Sequence, residues 1–145
     1  MGRILAIDYG RRRTGIAVSD PLRIIAGALT TVDTKELEPF LKDYFAKNEV
    51  DIIVLGKPVQ MNGTPSETWR YIEPLAGRLR HDYPDKEVVF CDERFTSVLA
   101  HRTMLESGIG KMARRDKALV DRISATIILQ SYMEQLGNGQ LGMGN

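Results

Sequence analysis

The sequence predicts an α/β fold. A three-stranded antiparallel meander plus βα units should make a mixed five-stranded sheet with helices on both faces. Three observations predict it. Short apolar or β-branched runs at Ile4–Ile7, Gly15–Ser19 and Ile25–Val32 follow one another closely, punctuated by Gly10, Gly15, Asp20-Pro21 and Gly27, as hairpin-linked strands are. Two later runs, DIIVLG (Asp51–Gly56) and EVVFC (Glu87–Cys91), are nearly continuous in apolar residues, as strands covered on both faces are. Around them, apolar residues recur with the helical period. The resulting order is βββ-α-β-α-β-α-α.

The first helix is read from Leu37, Phe40, Leu41, Tyr44 and Phe45, which share one face. Pro39 suits its first turn, where a missing N–H does least harm. Thr64-Pro65-Ser66-Glu67 has the form of a helix start: Thr64 caps, Pro65 takes the first helical position and Glu67 completes a capping box. The helix after it should bury Trp69, Ile72, Ala76 and Leu79 and kink at Pro74. Thr96 or Ser97 opens a further helix that Gly108 ends. The basic stretch from Gly108 to Lys117 reads as a loop, and Leu119–Leu136 as a long apolar helix. The Gly-rich residues 137–145 read as a disordered tail, leaving residues 1–136 as one domain.

The chain has 145 residues, enough for one core. Its net charge is +1, so any nucleic-acid surface must be a local patch. The single cysteine, Cys91, excludes an internal disulfide and suits a reducing compartment. The first apolar run stops at Asp8, too short for a signal peptide or a membrane span. A cytoplasmic protein with no membrane partner is expected.

Three groups of carboxylates stand out. Asp8 ends the first strand, and Asp92-Glu93 follow EVVFC; open α/β sheets place their sites at such strand ends. Asp121 shares a helix face with Ala125, Ile128 and Tyr132, where an unpaired charge costs several kcal/mol. Each acid has a plain structural reading as well. Asp8 could bond turn N–H groups, Arg94 could neutralise a strand exit, and Asp121 could serve the helix dipole beside Arg122 or Arg115. Together they describe three acids converging from two strand ends and one helix start. Like charges so placed need a cation, and carboxylates without His or Cys favour Mg²⁺ or Mn²⁺. Such ions activate water and stabilise the leaving oxygen in phosphodiester hydrolysis. His81 and His101 read as surface helix residues, and Cys91 as a buried strand residue. Cations flank the acids: Arg11, Arg12 and Arg13 follow Asp8, while Lys111, Arg114, Arg115 and Lys117 precede Asp121. Each group could be a solvated run, but their placement on both sides suits a polyanion.

Four blocks, LAIDYGRRRTGIAVSD, IIVLGKPVQMNGT, VVFCDERFTS and VDRISATIILQSYM, resemble in order the signatures of the YqgF (RuvX) family. These ribonuclease H-like proteins are described as Holliday-junction resolvases and as nucleases processing the small-subunit ribosomal RNA precursor. The resemblance runs from Ile4 to Met133. It implies a ribonuclease H-like fold and catalytic, metal-binding acids at Asp8, Glu93 (with Asp92 adjacent) and Asp121. It also implies basic positions at Arg11 and Arg13. Lys57 departs from it, standing where an apolar residue of a Gly-Leu-Pro turn is usual, as do Phe95 and Ser97 for the usual Leu and Thr. Adjacent strand residues face opposite ways, so Asp92 and Glu93 remain alternatives for the metal.

The expected function is a metal-dependent endonuclease acting on structured RNA, most naturally in 5′-end processing of pre-16S rRNA in ribosome biogenesis. The small ribosomal subunit is then a partner, and the protein a monomer or weak homodimer. A DNA-junction resolvase is the alternative; cutting two strands would call for a symmetric dimer. A non-catalytic nucleic-acid module is a third reading, against which all three acids argue. IDYG also resembles the first phosphate motif of actin-like kinases, but those need two such domains.

Overall fold

The computed structural model describes residues 2–57, 67–92 and 117–143. Strands β1 (Arg3–Asp8), β2 (Arg13–Ser19) and β3 (Ala26–Asp33) come first, and a short 3₁₀ turn, Thr34–Glu36, leads into α1 (Leu37–Lys47). Then come β4 (Val50–Lys57), α2 (Trp69–Asp82), β5 (Glu87–Asp92) and a final helix, α3 (Lys117–Met143). The helix expected between Thr96 and Gly108, and most of the Thr64–Glu67 start signal, lie outside the described residues.

One sheet has the order β3-β2-β1-β4-β5. The meander pairs are antiparallel, whereas β1–β4 and β4–β5 are parallel. This is the mixed five-stranded sheet expected, with β1 at its centre.

Strand alternation divides the core in two. Leu5, Ile7, Ile16, Ile53 and Leu55 face α1 through Leu37 and Leu41, and α2 through Ile72, Leu75, Ala76 and Leu79. Ile4, Ala6, Ala17, Ile52, Val54 and Cys91 face Ala125, Ile128 and Leu129 of α3. Helices therefore cover both faces, each fully buried Leu or Ile contributing about 1.5–3 kcal/mol.

Two helix boundaries differ from expectation. Residues 67–68 form a turn, and α2 begins at Trp69 with Thr68 at its N-cap, so Glu67 closes no capping box within the helix. The backbone there is satisfied by Arg70 N–H donating to the Glu67 carbonyl (3.3 Å) and Tyr71 N–H to that of Thr68 (3.0 Å). Trp69, the first residue of α2, meets Phe90 of β5 edge-on, with ring centroids 4.9 Å apart. At the other end, α3 continues through the Gly-rich residues to Met143 instead of stopping at Leu136. Extending an existing helix avoids the nucleation cost, against which each Gly loses only about 1 kcal/mol relative to Ala.

The β2–β3 turn is tied down locally. Asp20 accepts hydrogen bonds from the Ile24 and Ile25 N–H groups at 2.7 and 2.8 Å. Arg23 takes a left-handed conformation, φ 60°. Its side chain donates to the Gly2 carbonyl (3.0 Å) and to Asp51 (3.1 Å), which offset the strain. Among the described residues no helix is long and apolar enough to cross a membrane.

Candidate functional site

Because β1, β4 and β5 are parallel, their carboxyl ends meet at one edge of the sheet, where Asp8, Lys57 and Asp92 are the final residues. Ligands in open α/β sheets bind outside this edge. Asp8 is partly buried. It follows Ala6 by two residues and so shares the α3 side of the sheet.

The neighbours of Asp8 make room for a ligand. Across β2 its partner is Gly15. Across β4, Ile7 pairs with Leu55, so Gly56 comes next in register, and Gly56 in turn pairs with Cys91. Residues opposite each other share a face. The Asp8 carboxylate therefore has a residue without a side chain on either hand.

The α3 helix crosses this same face. Its Ala125, Ile128 and Leu129 lie over the sheet, and its later residues Gln130, Met133 and Glu134 border a groove with Arg23–Ala26 at the opposite edge. The start of α3 is thus directed toward the Asp8 edge, and Asp121 stands one turn before Ala125. Glu93, Lys111, Arg114 and Arg115 lie outside the described residues, as do the side chains of Asp92, Lys117 and Asp121. Among the described residues, no three His, Cys, Asp or Glu side chains gather as a metal site.

The β1–β2 hairpin brings the arginines to the same edge. Arg11 and Arg12 are exposed and Arg13 partly buried. Thr34 clamps this hairpin: its N–H donates to the Arg12 carbonyl (2.9 Å), and its hydroxyl donates to the Gly10 carbonyl and lies 2.9 Å from the hydroxyl of buried Thr14. Gly10 is required here, since a Cβ would fall 2.3 Å from the Arg13 carbonyl oxygen.

Residues of α2 complete the edge. Lys57 Nζ lies 5.0 Å from the Trp69 ring centroid. The Tyr71 ring has two guanidiniums close to it, Arg11 at 5.1 Å and Arg70 at 5.6 Å. Arg70 and Tyr71 carry no signal in the sequence; they lie off the apolar face of α2, and only the β1–β2 hairpin gives them meaning. His81 is exposed on α2 with its Nδ1 3.3 Å from Asp82, and Cys91 is buried in β5, as expected.

Comparison with known proteins bears on this arrangement. A family model described as "RuvX: Holliday junction resolvase" matches residues 2–135. A Porphyromonas gingivalis protein named "Putative pre-16S rRNA nuclease" is 59% identical over 134 residues, covering 92% of this chain and 97% of that one. A Bacteroides thetaiotaomicron protein of the same name is also 59% identical, with the same coverage. Among solved structures, the Fowlpox virus resolvase bound to Holliday junction DNA superposes with a TM-score of 0.56 at 16% identity, covering 92% of this chain and 98% of that one. That likeness is one of fold, and it agrees with the ribonuclease H-like architecture.

Proposed function

Since this chain belongs to the RuvX family, we propose that it is a nuclease hydrolysing phosphodiester bonds in structured nucleic acid, and that its task is 5′-end processing of pre-16S rRNA in ribosome biogenesis. The observation that carries the reading is Asp8: a carboxylate at the carboxyl end of the central strand, flanked by Gly15 and Gly56, at an edge lined with arginine.

In this reading Asp8, Glu93 and Asp121 hold Mg²⁺ or Mn²⁺ and are the catalytic acids. The donor chemistry fits, since hard carboxylate oxygens suit these ions, and the two glycines leave space beside Asp8. Glu93 is preferred to Asp92 because the DER block of the family resemblance puts its acid there. When bound, the metal supplies an activated water and charge stabilisation at the leaving oxygen. The chain's own cations position the substrate. Arg11 and Arg13 on one side, and Lys111, Arg114, Arg115 and Lys117 on the other, take backbone phosphates.

The pre-rRNA assignment is preferred because the 59%-identical relatives carry that name; junction resolution, the description of the family model, is the alternative. It places the protein in the cytoplasm with assembling small ribosomal subunits, as a monomer or weak homodimer. The test offers pre-16S rRNA fragments, single-stranded RNA and four-way DNA junctions, with Mg²⁺ or Mn²⁺ and with chelator. Metal-dependent cutting of the precursor, abolished by Asp8→Asn, is expected. Undiminished cutting in excess chelator would overturn the metal-site assignment. Cutting of junctions alone would move the task to recombination.

A further inference from the structure

The α2 rim of the site combines cations and rings in a way that a duplex-binding surface does not need. Tyr71 lies in the first turn of α2 and is 36% exposed. Two guanidiniums approach its ring from different elements, Arg11 from the β1–β2 hairpin and Arg70 from α2 itself. Neither Arg11 nor Arg70 has a carboxylate partner among the described residues. Lys57, at the end of β4, adds a further cation beside Trp69, likewise without an ion pair among those residues. Two guanidiniums thus sit at a partly exposed ring with a lysine nearby, and no acid among the described residues pairs with them, which suits a polyanion.

The ring narrows the class of polyanion. Bases within a duplex are stacked on one another and present only edges and phosphates, whereas unpaired bases offer their flat faces. Surfaces that bind single strands pair a cationic track for the phosphates with aromatic rings for the bases. We infer that Tyr71, flanked by Arg11 and Arg70, is a subsite for an unpaired nucleotide segment adjoining the bond to be cut. On binding, a guanidinium leaves the ring for the phosphates, and the face it uncovers takes a base. The inference rests on the nuclease reading and adds a preference to it: the substrate has a single-stranded arm leaving over α2. Thr34 serves the subsite at one remove, since its bonds to the hairpin set where Arg11 stands.

The test measures binding by fluorescence anisotropy in chelator, which stops cutting. The probes are a blunt-ended RNA duplex and the same duplex with a short unpaired tail. Wild type should bind the tailed probe more tightly. Tyr71→Ala should lose about 5- to 150-fold in affinity for the tailed probe, the range for one base–aromatic stack, and leave the blunt probe unchanged. Tyr71→Phe should keep the preference, because the ring face is retained. Arg70→Ala should reduce the salt slope for the tailed probe by roughly 0.7. If Tyr71→Ala weakens both probes equally, or neither, the ring only braces Arg11 and the subsite is refuted. If wild type binds both probes alike, yet still cuts precursor rRNA with metal, this inference falls and the nuclease reading stands. If wild type binds neither probe and cuts nothing, both fall.

Discussion

Replacing Gly10 with alanine should open the hairpin that carries Arg11, Arg12 and Arg13. The new Cβ would lie 2.3 Å from the Arg13 carbonyl oxygen, where real contacts stay beyond 3.0 Å, so the loop must move by about 0.7 Å or more. The obstacle is backbone, so no side chain can swing aside. Movement strains the two bonds by which Thr34 holds the Gly10 and Arg12 carbonyls. Each such bond contributes about 0.5–1.5 kcal/mol net, and local strain adds about 1–3 kcal/mol. The expected loss is roughly 2–6 kcal/mol, a fall in Tm of about 6–20 °C for a domain of this size. Gly77→Ala is the control. That position is exposed on α2 with nothing within 4 Å of an added Cβ, and alanine there should stabilise by about 0.5–1 kcal/mol. Urea unfolding of both variants, with the slope m checked for constancy, gives the two values. A Gly10→Ala protein as stable as wild type would show that the hairpin is not clamped as described.

Other expectations follow from the same edge and from its opposite. Mg²⁺ should raise the melting temperature of wild type and raise that of Asp8→Asn less, since an ion that binds only the folded site stabilises it by mass action; equal shifts in a thermal-shift assay would remove Asp8 from the ligands. Alanine at Arg114, Arg115 and Lys117 together should flatten the dependence of RNA affinity on salt, by roughly 0.7–0.9 in log–log slope for each phosphate no longer neutralised; an unchanged slope would make them bystanders. The Asp20 carboxylate is held below the ordinary range chiefly by the Ile25 N–H, with that of Ile24 adding to it and partial desolvation opposing. A native pKa below the unfolded value of about 3.9 favours folding above that pH, and the contribution fades as pH falls through the lowered native value. Asp20→Asn should therefore show a flatter acid limb in urea midpoints, and an identical limb would contradict the bonding seen at the turn.

The strands were legible because burial on both faces leaves near-continuous apolar runs, as in Ile4–Ile7 and Asp51–Gly56. Ala125 and Ile128 were legible as the buried stripe of α3 because they recur at helical spacing. What failed were boundaries, where a local signal competes with packing. α2 begins at Trp69, after Glu67, and the glycines after Leu136 did not stop α3. At the site, Asp8 could be singled out as a carboxylate at a strand end. Its setting could not, because the flanking by Gly15 and Gly56 depends on sheet order and register, which no local pattern encodes. The Arg11–Tyr71 contact was hidden for the same reason: it joins a hairpin to a helix about sixty residues on.

The placement of α3 also has a consequence for how the protein is made. Ile4, Ala6 and Ala17, which α3 covers, leave the ribosome about a hundred residues before Ala125, Ile128 and Leu129. At about 5–20 residues per second, the meander has roughly 5–20 s with one apolar face uncovered before its own lid is synthesised. During that interval the nascent chain is a sheet half with a greasy side, the kind of surface that chaperones shield and that crowded polysomes punish by aggregation. A slower patch of translation before α3 would lengthen the exposure, and any truncation upstream of Ala125 would make it permanent. Yield of soluble protein from cells should therefore respond to translation rate across the stretch between the meander and α3.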